Sequence, residues 1–266
     1  MIDYADLMTK AERLRKQFGE DNNSPIDIFS LAQGIETLTI VYYPLGNKIS
    51  GMCIKGTEER CTIALNSSMT LGRQRFSLAH EFYHLFYDNN MKSVCAKSIG
   101  TGNETEKMAD AFAAYFLMPR AALADKADKL ISKHGGKITL QDIIRIEQYF
   151  GVSHQTAVYQ LNNCGYINRE ELDALLNISV RRQAEAMGYS SDLYRPLPEE
   201  KQYRTYGHYI NQADQLLNRD IVSYGKYEEL LLTAFRDDLV YGTEEGGELI
   251  DLSLIHISEP TRLRRI

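Results

Sequence analysis

Residues 76–89, FSLAHEFYHLFYDN, place two histidines four positions apart with a glutamate directly after the first. On a helix, His80 and His84 stand one turn apart on the same face, and Glu81 lies close to it. Two imidazoles so placed can reach one zinc ion at about 2.0–2.1 Å and leave coordination positions open, with Glu81 free to hold a water. Zinc lowers the pKa of a water from about 15.7 to about 7, and a carboxylate in reach can pass its proton to a leaving amine. The plainer explanation is a helix carrying two polar surface histidines. Against it, Phe76, Ala79, Tyr83 and Phe86 recur at i, i+3, i+7 and i+10. That apolar stripe would bury the opposite side and turn the histidines toward a cleft.

A hydrolytic zinc site needs a third protein ligand. Downstream, NETEKMADAFAAYFLMP (103–119) reads as a second helix with Met108, Phe112 and Phe116 in an apolar row and Pro119 at its end. Glu106 and Asp110 share another face, followed by the small Ala113, which allows a close approach to the first helix. Glu106 is then a candidate ligand, and Asp110 a candidate acceptor for the hydrogen bond that fixes a ligand histidine. Taken alone, these acids are equally well explained as favourable first-turn charges.

The elements that must position these groups read as an α+β chain. Residues 3–18 predict a helix; a second is opened by Ser24 and Pro25 and closed at Gly34. Three β-rich runs follow at 38–45, 49–56 and 60–66, with turn residues at Gly46-Asn47 and Gly56-Thr57. They predict a small three-stranded antiparallel sheet packed on the histidine helix. Everything after Met69 reads as helix, the stretch containing Tyr203, Tyr206 and Tyr209 included, which gives an all-helical C-terminal half. The run RCTIALN is expected either to line the cleft as a sheet edge for an extended peptide, or to be sheet core. Residues 89–103 read as a loop over the cleft or a connector, and Cys95 within it as a bystander thiol.

Together, RQRFSLAHEFYHLF and EKMADAFAAYFLMP resemble the ImmA/IrrE family of zinc metallo-endopeptidases, and ITLQDIIRIEQYFGVSHQTAVYQLNNCGYI (138–167) resembles that family's helical C-terminal half. The likeness spans roughly residues 1–170. It implies a Zn2+ cofactor held by His80, His84 and Glu106, with Glu81 as general base; Asp110 stands where asparagine is frequent. It also implies a protein substrate, a DNA-binding repressor of the helix-turn-helix type or an antitoxin of a mobile element or stress response. Tyr83 replaces the family's usual glycine. Asp88 stands where many members carry a further histidine and is not counted as a ligand.

The formal charge of −6 offers no basic field for nucleic acid. LQDIIRIEQYFGVSHQTAVYQL has the outline of a helix-turn-helix, but no lysine or arginine lies between Arg145 and Arg169. Direct nucleic-acid binding is therefore not expected, because phosphate contacts need basic groups near the recognition helix. A catalytically silent regulatory module, binding DNA or protein on the same scaffold, is the alternative reading. No apolar run approaches a membrane span, the N-terminus is charged throughout, and Cys53, Cys61, Cys95 and Cys164 form no CxxC, so a cytoplasmic location is expected. The expected organisation is a metallopeptidase core at 1–120, a helical extension at 121–170, a helical region at 171–253, and at 254–266 a tail of non-native origin. That tail crowds three arginines into five positions.

Overall fold

The computed structural model describes residues 2–57, 60–90, 92–96, 100, 102–132 and 136–242. The suspected tail at 254–266 lies outside the described residues. The chain divides into two compact units, the first running from Met1 to Gln212 and the second from Ala213 onward.

The first unit opens with α1 (Tyr4–Gln17), capped by the Asp3 carboxylate, and α2 (Ile28–Gln33). Ser24 and Pro25 do not open α2 as expected. Asp27 does, because its carboxylate reaches the free N–H groups of Phe29 and Ser30. Strands β1 (Leu38–Tyr43), β2 (Ile49–Lys55) and β3 (Cys61–Asn66) form where the β-rich runs predicted them. Next come α3 (Leu71–Tyr87), β4 (Lys92–Ala96), α4 (Glu104–Leu117), α5 (Arg120–Ile131), α6 (Leu140–Phe150), α7 (His154–Asn163), α8 (Arg169–Leu176), α9 (Arg181–Ala186) and β5 (Arg204–Gly207).

The architecture is mixed α+β, but the sheet is not the expected antiparallel meander. It has five strands in the order β4-β2-β3-β1-β5, and β1 runs parallel to β3. The β1–β2 connection therefore crosses the end of β3 instead of closing a hairpin. Asn66, at that end, explains why: its side-chain amide donates to the carbonyls of Gly46 and Ile49 at 2.7 and 2.6 Å, and its Oδ1 accepts from Leu45 N–H at 3.2 Å. A buried amide so placed pins the crossing loop where turn residues alone would allow a hairpin. Strand β3 is consequently interior and not a cleft edge. The free edge on that side belongs to β4, which occupies what read as a loop. The C-terminal half is not all helical, since β5 pairs antiparallel with β1 and sets Tyr206 edge-on to Tyr42 at 5.9 Å.

One face of the sheet receives α3, whose other side lies against α4. The core between them is aromatic: Phe82, Phe112 and Phe116 are fully buried, with the last two stacked at 5.7 Å. Ala109 and Ala113, also fully buried, let α3 and α4 approach. Arg15 of α1 is buried as well and donates to the carbonyls of Asp21, Ser24 and Phe116, joining α1 to the last turn of α4. The helix-turn-helix outline is real, with Gly151 in the left-handed region between α6 and α7 (φ 65°). Thr156, Ala157, Val158, Gln160 and Leu161 of α7 are buried, so one face of this helix packs into the core.

Helix α10 (His208–Asn218) spans the boundary between the units. Within the second unit lie α11 (Tyr224–Thr233) and α12 (Asp237–Tyr241); there the Tyr227 hydroxyl donates to Asp214 at 2.6 Å.

Candidate metal centre

Helix α3 is a seventeen-residue element whose middle is buried all round, so His80, Glu81 and His84 sit inside the protein and not on an open wall. Each imidazole is held from behind by a carboxylate. Asp110 Oδ1 lies 2.8 Å from His80 Nδ1, and Asp88 Oδ2 lies 2.8 Å from His84 Nδ1. A carboxylate partner places the proton on Nδ1 and leaves the Nε2 lone pair directed away from it. The two Nε2 atoms are 3.2 Å apart.

Helix α4 brings the third group. The Asn103 side chain accepts the Glu106 N–H at 3.0 Å, fixing the first turn so that Glu106 faces α3. Its Oε2 is 3.3 Å from His80 Nε2 and its Oε1 is 3.4 Å from His84 Nε2. Ligands about 2.0–2.1 Å from a tetrahedral ion stand roughly 3.3 Å from one another. The two imidazole nitrogens stand at about that spacing, and each has one oxygen of the Glu106 carboxylate at about that spacing as well. A fourth donor joins them: the Cys95 thiol on β4, so that His80, His84, Cys95 and Glu106 each offer an atom within 4.8 Å of the others.

Charge points the same way. Burial pushes the carboxyl of Glu81 up from its ordinary range, against the pull of His80. Burial and the neighbouring carboxylates push the Cys95 thiol up too. Burial opposes a charge on His80, yet hydrogen bonds to Asp110 and Glu106 carry its pKa to about 9, while His80 in turn holds Glu106 below the usual carboxylate range. Without a cation, the site must draw a proton onto an imidazole to offset its acids. A divalent ion at the meeting point of the four donors would supply that charge directly, so the residues fit a metal. Such a donor set suits a divalent transition-metal ion.

Glu81 is fully buried beside the donors, and the Cys95 thiol hydrogen-bonds its carboxylate. Its Oε2 accepts the Ser93 hydroxyl at 3.2 Å, and its Oε1 has no hydrogen-bond partner. The space for that oxygen comes from Gly51 on β2. A Cβ there would meet Glu81 Oε1 at 2.8 Å and the Ala64 carbonyl at 3.1 Å.

The residues named from the sequence are thus brought to one point: His80, His84 and Glu106 as donors, Asp110 behind His80, Glu81 beside them. Four others were not read as parts of the site. Asp88, set aside as a non-ligand, holds the second imidazole; its i+4 spacing from His84 was a usable signal. Cys95, read as a bystander, lies among the donors. Ser93 and Gly51 hold and admit Glu81, and no local pattern announces them. Tyr83 keeps its place in the buried stripe and turns into the α3–α4 core against Phe112. Phe86 is 40% exposed and falls outside the buried stripe assigned to it.

This fold and donor set define a metallopeptidase-type domain. Residues 35–162 match the model of the Peptidase M78 family, described as the IrrE N-terminal-like domain, which bears out the resemblance carried by the two motifs. No curated protein shows significant similarity to the chain. Among the described residues no helix is long and apolar enough to cross a membrane.

Proposed function

We propose that the protein is a zinc-dependent endopeptidase whose centre is held by His80, His84 and Glu106 and whose general base is Glu81. The observation that carries this reading is the convergence of two imidazole nitrogens 3.2 Å apart with the Glu106 carboxylate, one oxygen of which lies 3.3 Å from His80 and the other 3.4 Å from His84, beside a buried carboxylate oxygen of Glu81 with no partner. Bound zinc supplies Lewis acidity, polarising the peptide carbonyl and making water a nucleophile at neutral pH. Asp110 and Asp88 keep both imidazoles in the tautomer that ligates. Ser93 anchors Glu81 through Oε2, so Oε1 is the atom that takes the proton of the attacking water and returns it to the leaving amine. Burial raises the proton affinity of that carboxyl, which suits a group that must both accept and release.

The substrate enters as an extended strand along the free edge of β4, whose Val94 is 60% exposed. A protein partner of the helix-turn-helix repressor or antitoxin class fits a peptidase with a buried centre beside an exposed sheet edge. Cleavage would then release transcription or a toxin. The test is Glu81→Gln. It should retain the metal and lose at least about 100-fold in peptide hydrolysis, the usual contribution of a positioned base. Mapping new N-termini in a cell extract treated with wild type or Glu81→Gln would identify the substrate. Full hydrolysis by Glu81→Gln contradicts the mechanism, and the absence of any repressor or antitoxin fragment contradicts the partner class.

A further inference from the structure

Strand β4 alternates strictly. Lys92 and Val94 face outward, while Ser93 and Cys95 face the metal centre, as the two-residue period of a strand requires. Ser93 holds the general base. Cys95 is buried, pairs in register with Gly51, and places its sulfur within 4.8 Å of the donor atoms of His80, His84 and Glu106. Glu81 Oε1, fully buried and unpartnered, lies against the same Gly51. The edge strand thus reaches the base through Ser93 and Cys95, and the cluster of donor atoms through Cys95.

We propose that Cys95 is a fourth protein ligand and that it closes the resting centre. Three protein ligands and an open position characterise catalytic zinc, whereas four protein ligands characterise closed, structural zinc. With the Cys95 thiolate bound, the ion has no position for water, and Glu81 has nothing to deprotonate. Ligation releases the thiol proton to solvent, and withdrawal of the sulfur takes one up, so nothing is oxidised or reduced. Because Cys95 belongs to the free edge of the sheet, a peptide strand pairing with β4 acts on the strand that carries the blocking ligand. Opening is thereby coupled to substrate engagement, and the enzyme is quiet without its target. This inference rests on the metallopeptidase reading above.

Cobalt(II) substitution of the full chain tests it. The wild type should show the intense near-ultraviolet sulfur-to-cobalt charge-transfer band of a thiolate ligand. Cys95→Ser and Cys95→Ala should lose that band and hold zinc at least about tenfold more weakly. At saturating zinc they should hydrolyse a fluorogenic peptide library at least about tenfold faster than wild type, as expected if the open form is a minor resting population. Cobalt bound by wild type without a sulfur band overturns this inference and leaves the peptidase reading standing. A band lost without any gain in hydrolysis overturns the closure. A wild type that binds neither cobalt nor zinc overturns both readings. The wild-type spectrum needs no variant to fold.

Discussion

Two carboxylates behind two imidazoles are what turn a pair of helical histidines into a site. Asp110 and Asp88 each sit 2.8 Å from an Nδ1, and neither is among the four groups whose atoms converge. Removing either frees a ring to rotate or change tautomer. Asp88→Ala should therefore weaken zinc binding by about 10- to 100-fold with the fold intact, as measured by competition with a chromophoric chelator. Unchanged affinity would show that His84 is oriented by packing alone. Gly51 acts through what it lacks. In Gly51→Ala the new methyl meets Glu81 Oε1 at 2.8 Å, and the carboxylate must shift while the donors stay put. Hydrolysis should fall by about 100-fold, in keeping with the cost of a misplacement on the order of 1 Å, with metal content unaltered. Parallel loss of metal would place Gly51 in the ligand framework instead.

Elements succeed or fail by how their ends and buried charges are satisfied. The α6–α7 pair has a full capping box at Thr139 and Asp142, a left-handed glycine at the turn, and Ser153 capping α7. All of these signals are local, so this pair was legible in the sequence. Its function was not. His154 opens α7 and donates from both ring nitrogens, to Glu147 Oε1 at 2.6 Å and to the Leu175 carbonyl at 2.9 Å, while Tyr194 donates to the other oxygen of Glu147 at 2.8 Å. Only the imidazolium can donate twice. Burial opposes that charge, but Glu147 and the Leu175 carbonyl prevail and hold the pKa above its ordinary 6.5. The stability this ring confers is fully present below the unfolded value and is lost as pH rises through the raised folded one. The thermal midpoint of wild type should exceed that of His154→Ala most at mildly acidic pH, with the gap narrowing as pH rises; a gap that widened would contradict the charged, bridging role. Arg15 is comparable: three backbone carbonyls depend on it, and Arg15→Met should cost about 3 kcal/mol in denaturant unfolding. Here too the sequence was silent, because a charged residue in an amphipathic helix reads as solvated.

At the scale of the molecule, the motifs were legible and the topology was not. The HEFYH pattern and the Glu106–Asp110 pair each lie on one helix, so periodicity placed them. Strand order depends on contacts between distant residues, and Asn66 crossing to 45–49, or β5 joining from position 204, leaves no local trace. The same distance explains why Cys95 escaped: its role exists only once β4 pairs with β2. Since the donors come from α3, β4 and α4, a bound ion ties together three separate elements. With zinc about 100-fold above its dissociation constant, linkage gives about 2.7 kcal/mol, which raises the melting temperature of a chain this size by about 5–10 °C. Chelation should lower the midpoint by that amount; no shift would mean that the ion binds without bracing the fold. The central claim is tested most directly by the metal content of the purified chain, measured by elemental mass spectrometry on wild type, Glu81→Gln and Glu106→Ala together. About one zinc per chain is expected in the first two and a large deficit in the third. Equal metal in all three, or none in wild type after zinc is supplied, would contradict the account.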